Sequence, residues 1–263
     1  MTAAPKIAAA IARPDSALVE DVRPSPSVEP RRNGLRPTIL LLHYTGLDSM
    51  ERAIDWLTRQ DSGVSCHYGI GVDGRVTQMV AEDKRAWHAG ESIWAGETDI
   101  NSASIGIEID NPGHDLGYPA FPDVQMRAVE RLSRDIVARH GITPERVLAH
   151  SDVAPARKKD PGERFPWARL AQAGIGHWVE PAPVDPTERG LGVGASGPQV
   201  AAPQAALRRY GYGIEPTGQI DARTELVVTA FQRHFRPERV DGRIDSSTTA
   251  TLERLIATLP AEA

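Results

Sequence analysis

The stretch TILLLHYT, residues 38–45, sets four consecutive aliphatic residues directly before a histidine. A strand with one wet face alternates apolar and polar residues, whereas a strand covered on both faces reads as an unbroken apolar run. TILLLHYT is of the second kind, which predicts a central strand of a sheet with structure packed on both sides. Ser49 follows as an N-cap, with Met50, Ile54 and Leu57 at helical spacing behind it. CHYGIGVDGRVTQMV (66–80) gives two short strands joined at Asp73-Gly74, the turn chemistry of a hairpin.

Further out, SIGIEID (104–110) puts Ile105, Ile107 and Ile109 on one face and Gly106, Glu108 and Asp110 on the other. Met126, Val129, Leu132 and Ile136 then mark a helix that Gly141 ends. RVLAH (146–150) reads as another strand, and FPWARLAQAG (165–174) as a short helix. The order β-α-β-β-β-α-β-α predicts an α/β domain, a mixed β-sheet flanked by helices, over residues 36–179.

The flanks read differently. Residues 1–35, rich in Pro, Ala, Arg and Ser, show no sustained period and are expected to form an extended arm. Residues 180–198 (EPAPVDPTERGLGVGASGP) read as a linker. Beyond it GQIDART (218–224) and GRIDSST (242–248) form a short repeat, in each of which Asp caps a following helix. Val227, Val228, Phe231 and Phe235 line the first helix, and Leu252 and Ile256 the second. Residues 199–263 are thus expected to be a small all-α domain.

Composition narrows the function. A formal net charge of -5 over 263 residues argues against a nucleic-acid binder, and no apolar run is long enough to span a membrane. The opening MTAAPKIAAAIARPDSALVE is too short and weakly apolar for a signal peptide, and no cysteine near it would carry a lipid. The cytoplasm is therefore the expected compartment, with the periplasm as the alternative. Cys66 is the single cysteine, so any metal site must draw on His, Asp and Glu.

His43 and His150 end two strands that can lie side by side, and Asp160 sits in a loop fixed by Pro161-Gly162. Together they would make a His-His-Asp set with an open position, as in catalytic zinc sites. From spacing alone, two buried, hydrogen-bonded histidines and solvated loop charge explain the same residues. Glu108 faces away from three isoleucines: it is either solvated or a general acid/base aimed into a site. Lys158 is either surface charge or an oxyanion stabiliser, and Lys159 is expected to face solvent. AWHAGESIWAG (86–96) offers Trp87 and His88, either for sugar or peptide binding or as a plug for the core edge. His67 reads as packed, and His114, His140, His177 and His234 have no evident partner.

Taken in order, LLHYTG, SCHYGIGVDGRVTQMV, AWHAG, NSASIGIEIDN and VLAHSDVAPARKKDPGERFPW resemble the zinc-dependent N-acetylmuramoyl-L-alanine amidases, in particular the bacterial branch acting on muropeptides. Residues from about 195 onward are similar to small helical peptidoglycan-binding domains. The resemblance implies one Zn2+ per chain on His43, His150 and Asp160, with Glu108 as acid/base and Lys158 as oxyanion stabiliser. It implies Trp87, His88 and Asn101 along the substrate groove, and peptidoglycan fragments or muropeptides as partners. Phage members carry a catalytic tyrosine where this chain has Cys66, which leaves the work to Glu108. A peptidoglycan-binding protein without catalysis and a zinc peptidase cutting within the stem peptide are the alternatives. The absence of an HExxH helix weighs against the peptidase.

Overall fold

The computed structural model describes residues 11–259; expectations for residues 1–10 and 260–263 lie outside them. The N-terminal arm gives β1 (Asp21–Val22) and β2 (Val28–Pro30). The α/β domain follows with β3 (Ile39–Tyr44), α1 (Met50–Thr58), β4 (Tyr68–Ile70), β5 (Val76–Gln78) and β6 (Lys84–Ala86). Next come the short α2 (Ile100–Ala103), β7 (Ser104–Ile109), α3 (Asp123–His140) and β8 (Val147–Ala149). The one-turn α4 (His150–Val153) and α5 (Trp167–Gln172) close the domain, and α6 (Pro198–Tyr210), α7 (Ala222–Phe235) and α8 (Ser246–Ala257) make the helical module.

Six strands form one sheet in the order β1-β5-β4-β7-β3-β8. The β4–β5 hairpin is antiparallel, while β4, β7, β3 and β8 run parallel. β3 is an interior strand between β7 and β8, covered on both sides as its apolar run predicts, and its two faces enter different cores. Leu40 and Leu42 join Ile105, Ile107 and Ile109 of β7 against Met126, Val129, Leu132 and Ile136 of α3. Ile39 and Leu41 join Ile100 and Leu148 in a core completed by Val200, Leu207, Val227, Phe231 and Phe235 of the module. The helical module thus covers one face of the sheet.

Several caps follow the sequence. Ser49 accepts from the Arg52 N–H, Asp221 from that of Thr224 and Asp245 from that of Thr248. Gly141 closes α3 in the left-handed region at φ 65°.

Three features differ from expectation. Residues 11–35 are stitched into the domain: β1 pairs with β5 and β2 with β6. Arg31 donates to the carbonyls of Glu82, Ser102 and Ser104, so an aperiodic segment gains its order from another segment's backbone. Residues 180–198 are packed on the module rather than bridging a gap: the Ala182 N–H donates to Thr251, and Arg243 donates to the Gly190 carbonyl. Lastly, α6 went unread because Pro203 lies inside it and breaks the pattern carried by Val200, Leu207 and Tyr210. Among the described residues no helix is long and apolar enough to cross a membrane.

Candidate active site

Parallel strands place their carboxyl ends together, and here those ends carry the chemistry. His43 of β3 stands opposite Glu108 of β7 in the sheet register, and β8 on the other side of β3 runs directly into His150. His150 opens α4 rather than ending the strand, which turns its ring back toward His43. The loop after α4 returns to the same point, where the Ser151 N–H donates to the Asp160 carbonyl.

The three side chains converge. His43 Nδ1 and His150 Nδ1 lie 2.8 Å apart, and Asp160 Oδ2 lies 3.2 Å from the first and 2.9 Å from the second. All three are buried, at 1%, 2% and 6% exposure.

The surrounding hydrogen bonds decide where the ring protons sit. His150 Nε2 faces the Ala89 carbonyl at 3.0 Å, so that nitrogen carries the proton and Nδ1 a lone pair. His43 is fixed by a longer chain. The Ser104 hydroxyl donates to the Ile100 carbonyl, leaving its oxygen to accept from His88 Nε2 at 3.3 Å. His88 Nδ1 is then an acceptor and takes the proton of His43 Nε2 at 3.0 Å. His43 Nδ1 is left, like His150 Nδ1, with a lone pair pointing into the triangle. Burial, then the neighbouring His150, pushes the His43 ring down to about 4, so protonation does not relieve the crowding. Burial pulls the Asp160 carboxyl upward, and what outweighs it is positive charge at His150 and His43, a place that a cation takes when both rings are neutral.

Two lone pairs and a carboxylate packed together without a proton among them repel unless a cation joins them. The donor set fits a metal ion: tetrahedral bonds of about 2.0–2.1 Å require ligand separations of roughly 3.3 Å, somewhat wider than the 2.8, 2.9 and 3.2 Å here, so a bound ion would spread the three atoms slightly. A second cluster, His43, Cys66 and His88, also has mutually close ligand atoms. There a hydrogen bond already occupies His43 Nε2 and His88 Nδ1. Burial, with the Glu108 charge, pushes the Cys66 thiol up and away from the thiolate a metal needs.

Glu108 lines a cavity of about 390 Å³ together with His43, Trp87, His150, Lys158 and Asp160. Its Oε2 is buried without a hydrogen-bond partner among the described residues. Burial, reinforced by Asp160 and opposed by Lys158, raises its carboxyl well above the ordinary range. Lys158 is half-buried in the cavity wall and Lys159 is exposed at its rim.

Trp87 and His88 also line this cavity. Gly106 makes room for the His88 ring, since a Cβ there would lie 2.5 Å from His88 Nδ1. Asn101 is the exception to the expected groove: its Oδ1 accepts the N–H groups of His88 and Ala89, and it is absent from the cavity wall. It holds the loop from behind, because a buried side-chain carbonyl is needed to pair two amides that no strand serves. His67 is packed as expected, accepting from the Gly106 N–H and pushed by burial down to about 3.

Sequence reasoning missed Ser104, which sits at a strand start with nothing to mark it. It also missed Asp152, whose signal was only its place two residues after His150. Asp152 Oδ2 accepts the Ala149 N–H and binds His234 Nδ1, and Oδ1 accepts from the Tyr212 hydroxyl.

Two histidines, an aspartate and a half-buried glutamate gathered in one cavity at a parallel sheet end make a candidate hydrolytic site. The N-acetylmuramoyl-L-alanine amidase model matches residues 33–163, and a peptidoglycan binding domain model matches residues 196–252. N-acetylmuramoyl-L-alanine amidase AmiD of Escherichia coli is 38% identical over 84% of this chain and 83% of its own length. The 1,6-anhydro-N-acetylmuramyl-L-alanine amidase AmpD of the same organism is 34% identical over 56% of this chain and 87% of its own. The structure of AmiD in complex with anhydro-N-acetylmuramic acid-L-Ala-D-gamma-Glu-L-Lys has a TM-score of 0.72 and 36% identity, covering 87% of this chain and 92% of that one. That of AMPDH3 from Pseudomonas aeruginosa with anhydromuramic pentapeptide has a TM-score of 0.72 and 32% identity, covering 89% and 96%. The chain belongs to the N-acetylmuramoyl-L-alanine amidase family.

Proposed function

We propose that the protein hydrolyses the amide between the lactyl group of N-acetylmuramic acid, or its anhydro form, and the L-alanine of the stem peptide. In this reading one zinc ion per chain is held by His43, His150 and Asp160. The observation that carries it is the convergence of two imidazole lone pairs and a carboxylate beside the unpartnered Glu108 carboxyl. AmiD and AMPDH3, solved with anhydromuramyl peptides, support the substrate class. The ion, when bound, supplies Lewis acidity, lowering the pKa of water and polarising a carbonyl.

The chain's own residues do the rest. Glu108 takes the proton of the attacking water and delivers it to the departing alanine nitrogen, a double duty suited to a carboxyl raised by burial. The Lys158 ammonium, at the cavity wall, balances negative charge developing on the carbonyl oxygen. Trp87 offers an aromatic flank to the sugar or peptide, while His88 orients His43 and Asn101 holds the loop that carries both Trp87 and His88.

Mass spectrometry of products from defined muropeptides, anhydro and reduced, tests the reading. Intact stem peptide and a lactyl sugar are expected, with relative rates reporting the sugar preference. Cleavage inside the peptide would point to a peptidase, and unchanged muropeptides with zinc in place to a binding protein.

A further inference from the structure

The helical module reaches the metal-binding residues through a buried carboxylate. Asp152, 1% exposed, lies two residues beyond His150 in α4. Its Oδ2 accepts the N–H of Ala149, the residue before His150, at 2.8 Å, which fixes the start of the turn. Its remaining acceptor capacity goes to the module: the Tyr212 hydroxyl donates to Oδ1 at 2.7 Å, and His234 Nδ1 to Oδ2 at 2.7 Å. Both donors are 2% exposed, so no water substitutes for them cheaply.

Each donor is itself locked. Tyr212 packs edge-on against Trp94 at 4.9 Å, and His234 stacks on Trp167 at 3.7 Å and Phe235 at 3.8 Å. The residue before His234 touches the other metal-binding segment: Arg233 Nε lies 3.6 Å from Glu163, three residues after Asp160. One helix, α7, therefore abuts both the turn carrying His150 and the loop carrying Asp160.

We propose that the module is a structural part of the metal centre. Tyr212 and His234 are positioning residues that, through Asp152, hold the His150 turn in its ligating orientation and so set the affinity of the site for its ion. This rests on the proposed function in one respect, that a metal ion occupies the site.

The test is the zinc dissociation constant of the full chain, measured by chelator competition, with thermal melting alongside. Tyr212→Phe and His234→Phe keep the ring and lose the donor; both are expected to weaken zinc binding by about tenfold, the low end of what loss of a group bonded directly to a metal ligand costs, because Asp152 stands between. His234→Asn, whose amide can stand in for Nδ1–H, should stay within about threefold of wild type on the same grounds. Gln204→Ala, whose hydrogen bonds remain within the module, should lower the melting temperature and leave zinc affinity unchanged. The proposal is overturned if both phenylalanine variants bind zinc as wild type does, or if Gln204→Ala weakens binding equally. A wild type that binds no zinc overturns the metal-site reading and this inference with it; unchanged affinity in the variants overturns only the inference.

Discussion

His43 is held from both ends, and that fits it to serve as a ligand in the proposed site. Its Nε2 proton is committed to His88, so Nδ1 has nothing to offer but a lone pair. Replacing His88 with Ala frees the ring to rotate; zinc affinity should fall by about 10–100-fold with little loss of fold, as chelator competition would report. Glu108→Ala makes the opposite separation. Turnover should drop by at least about 10²–10⁴-fold while one zinc per chain remains, and retained activity would remove Glu108 from the mechanism. At this scale spacing left His43, His150, Asp160 and Glu108 open between packed or solvated residues and a site; the family resemblance singled them out, and the structure brings the first three together with Glu108 in the same cavity wall. The sequence was silent about Ser104, whose role depends on the orientation of a ring sixteen positions away.

The sheet brings those residues together through register, and the LLL of β3 and the alternating isoleucines of β7 mark both as interior strands with apolar cover. Short edge elements were illegible because they are ordered by others' backbones, as β1 and β2 are by β5 and β6. One such tie predicts a pH dependence. Glu82, 3% exposed, joins β4 to the end of α3 through Tyr68, Arg139 and His140. Burial raises its carboxyl, yet the Arg139, His140 and Tyr68 hydrogen bonds win and bring it down to about 2. A depressed carboxylate stabilises the fold above its unfolded pKa, and that stability is lost as pH falls from about 4.5 toward 2. The wild type should therefore lose on the order of 3 kcal/mol across that window. In Glu82→Gln, urea unfolding at several pH values should show a flatter profile and lower stability at neutral pH.

On the scale of the whole molecule, the two sequence blocks that read as separate domains share one core. Ile39, Leu41, Ile100 and Leu148 are buried against Val200, Leu207, Val227 and Phe231. The linker composition of residues 180–198 concealed this, because proline and glycine mark irregular backbone whether it is free or packed. Uncovering a buried Leu or Ile costs about 1.5–3 kcal/mol, against a typical total stability of about 5–15 kcal/mol. A chain cut after residue 179 should thus aggregate or lose its cooperative melt, and one melting like the full protein would contradict the shared core.

The arrangement as a whole stands on which side of His43 the metal binds. Zinc K-edge absorption of the loaded protein reads this directly. The account predicts a shell of nitrogen and oxygen alone, from His43, His150 and Asp160. A sulfur scatterer at about 2.3 Å would instead put the ion on Cys66 with His88 and contradict it.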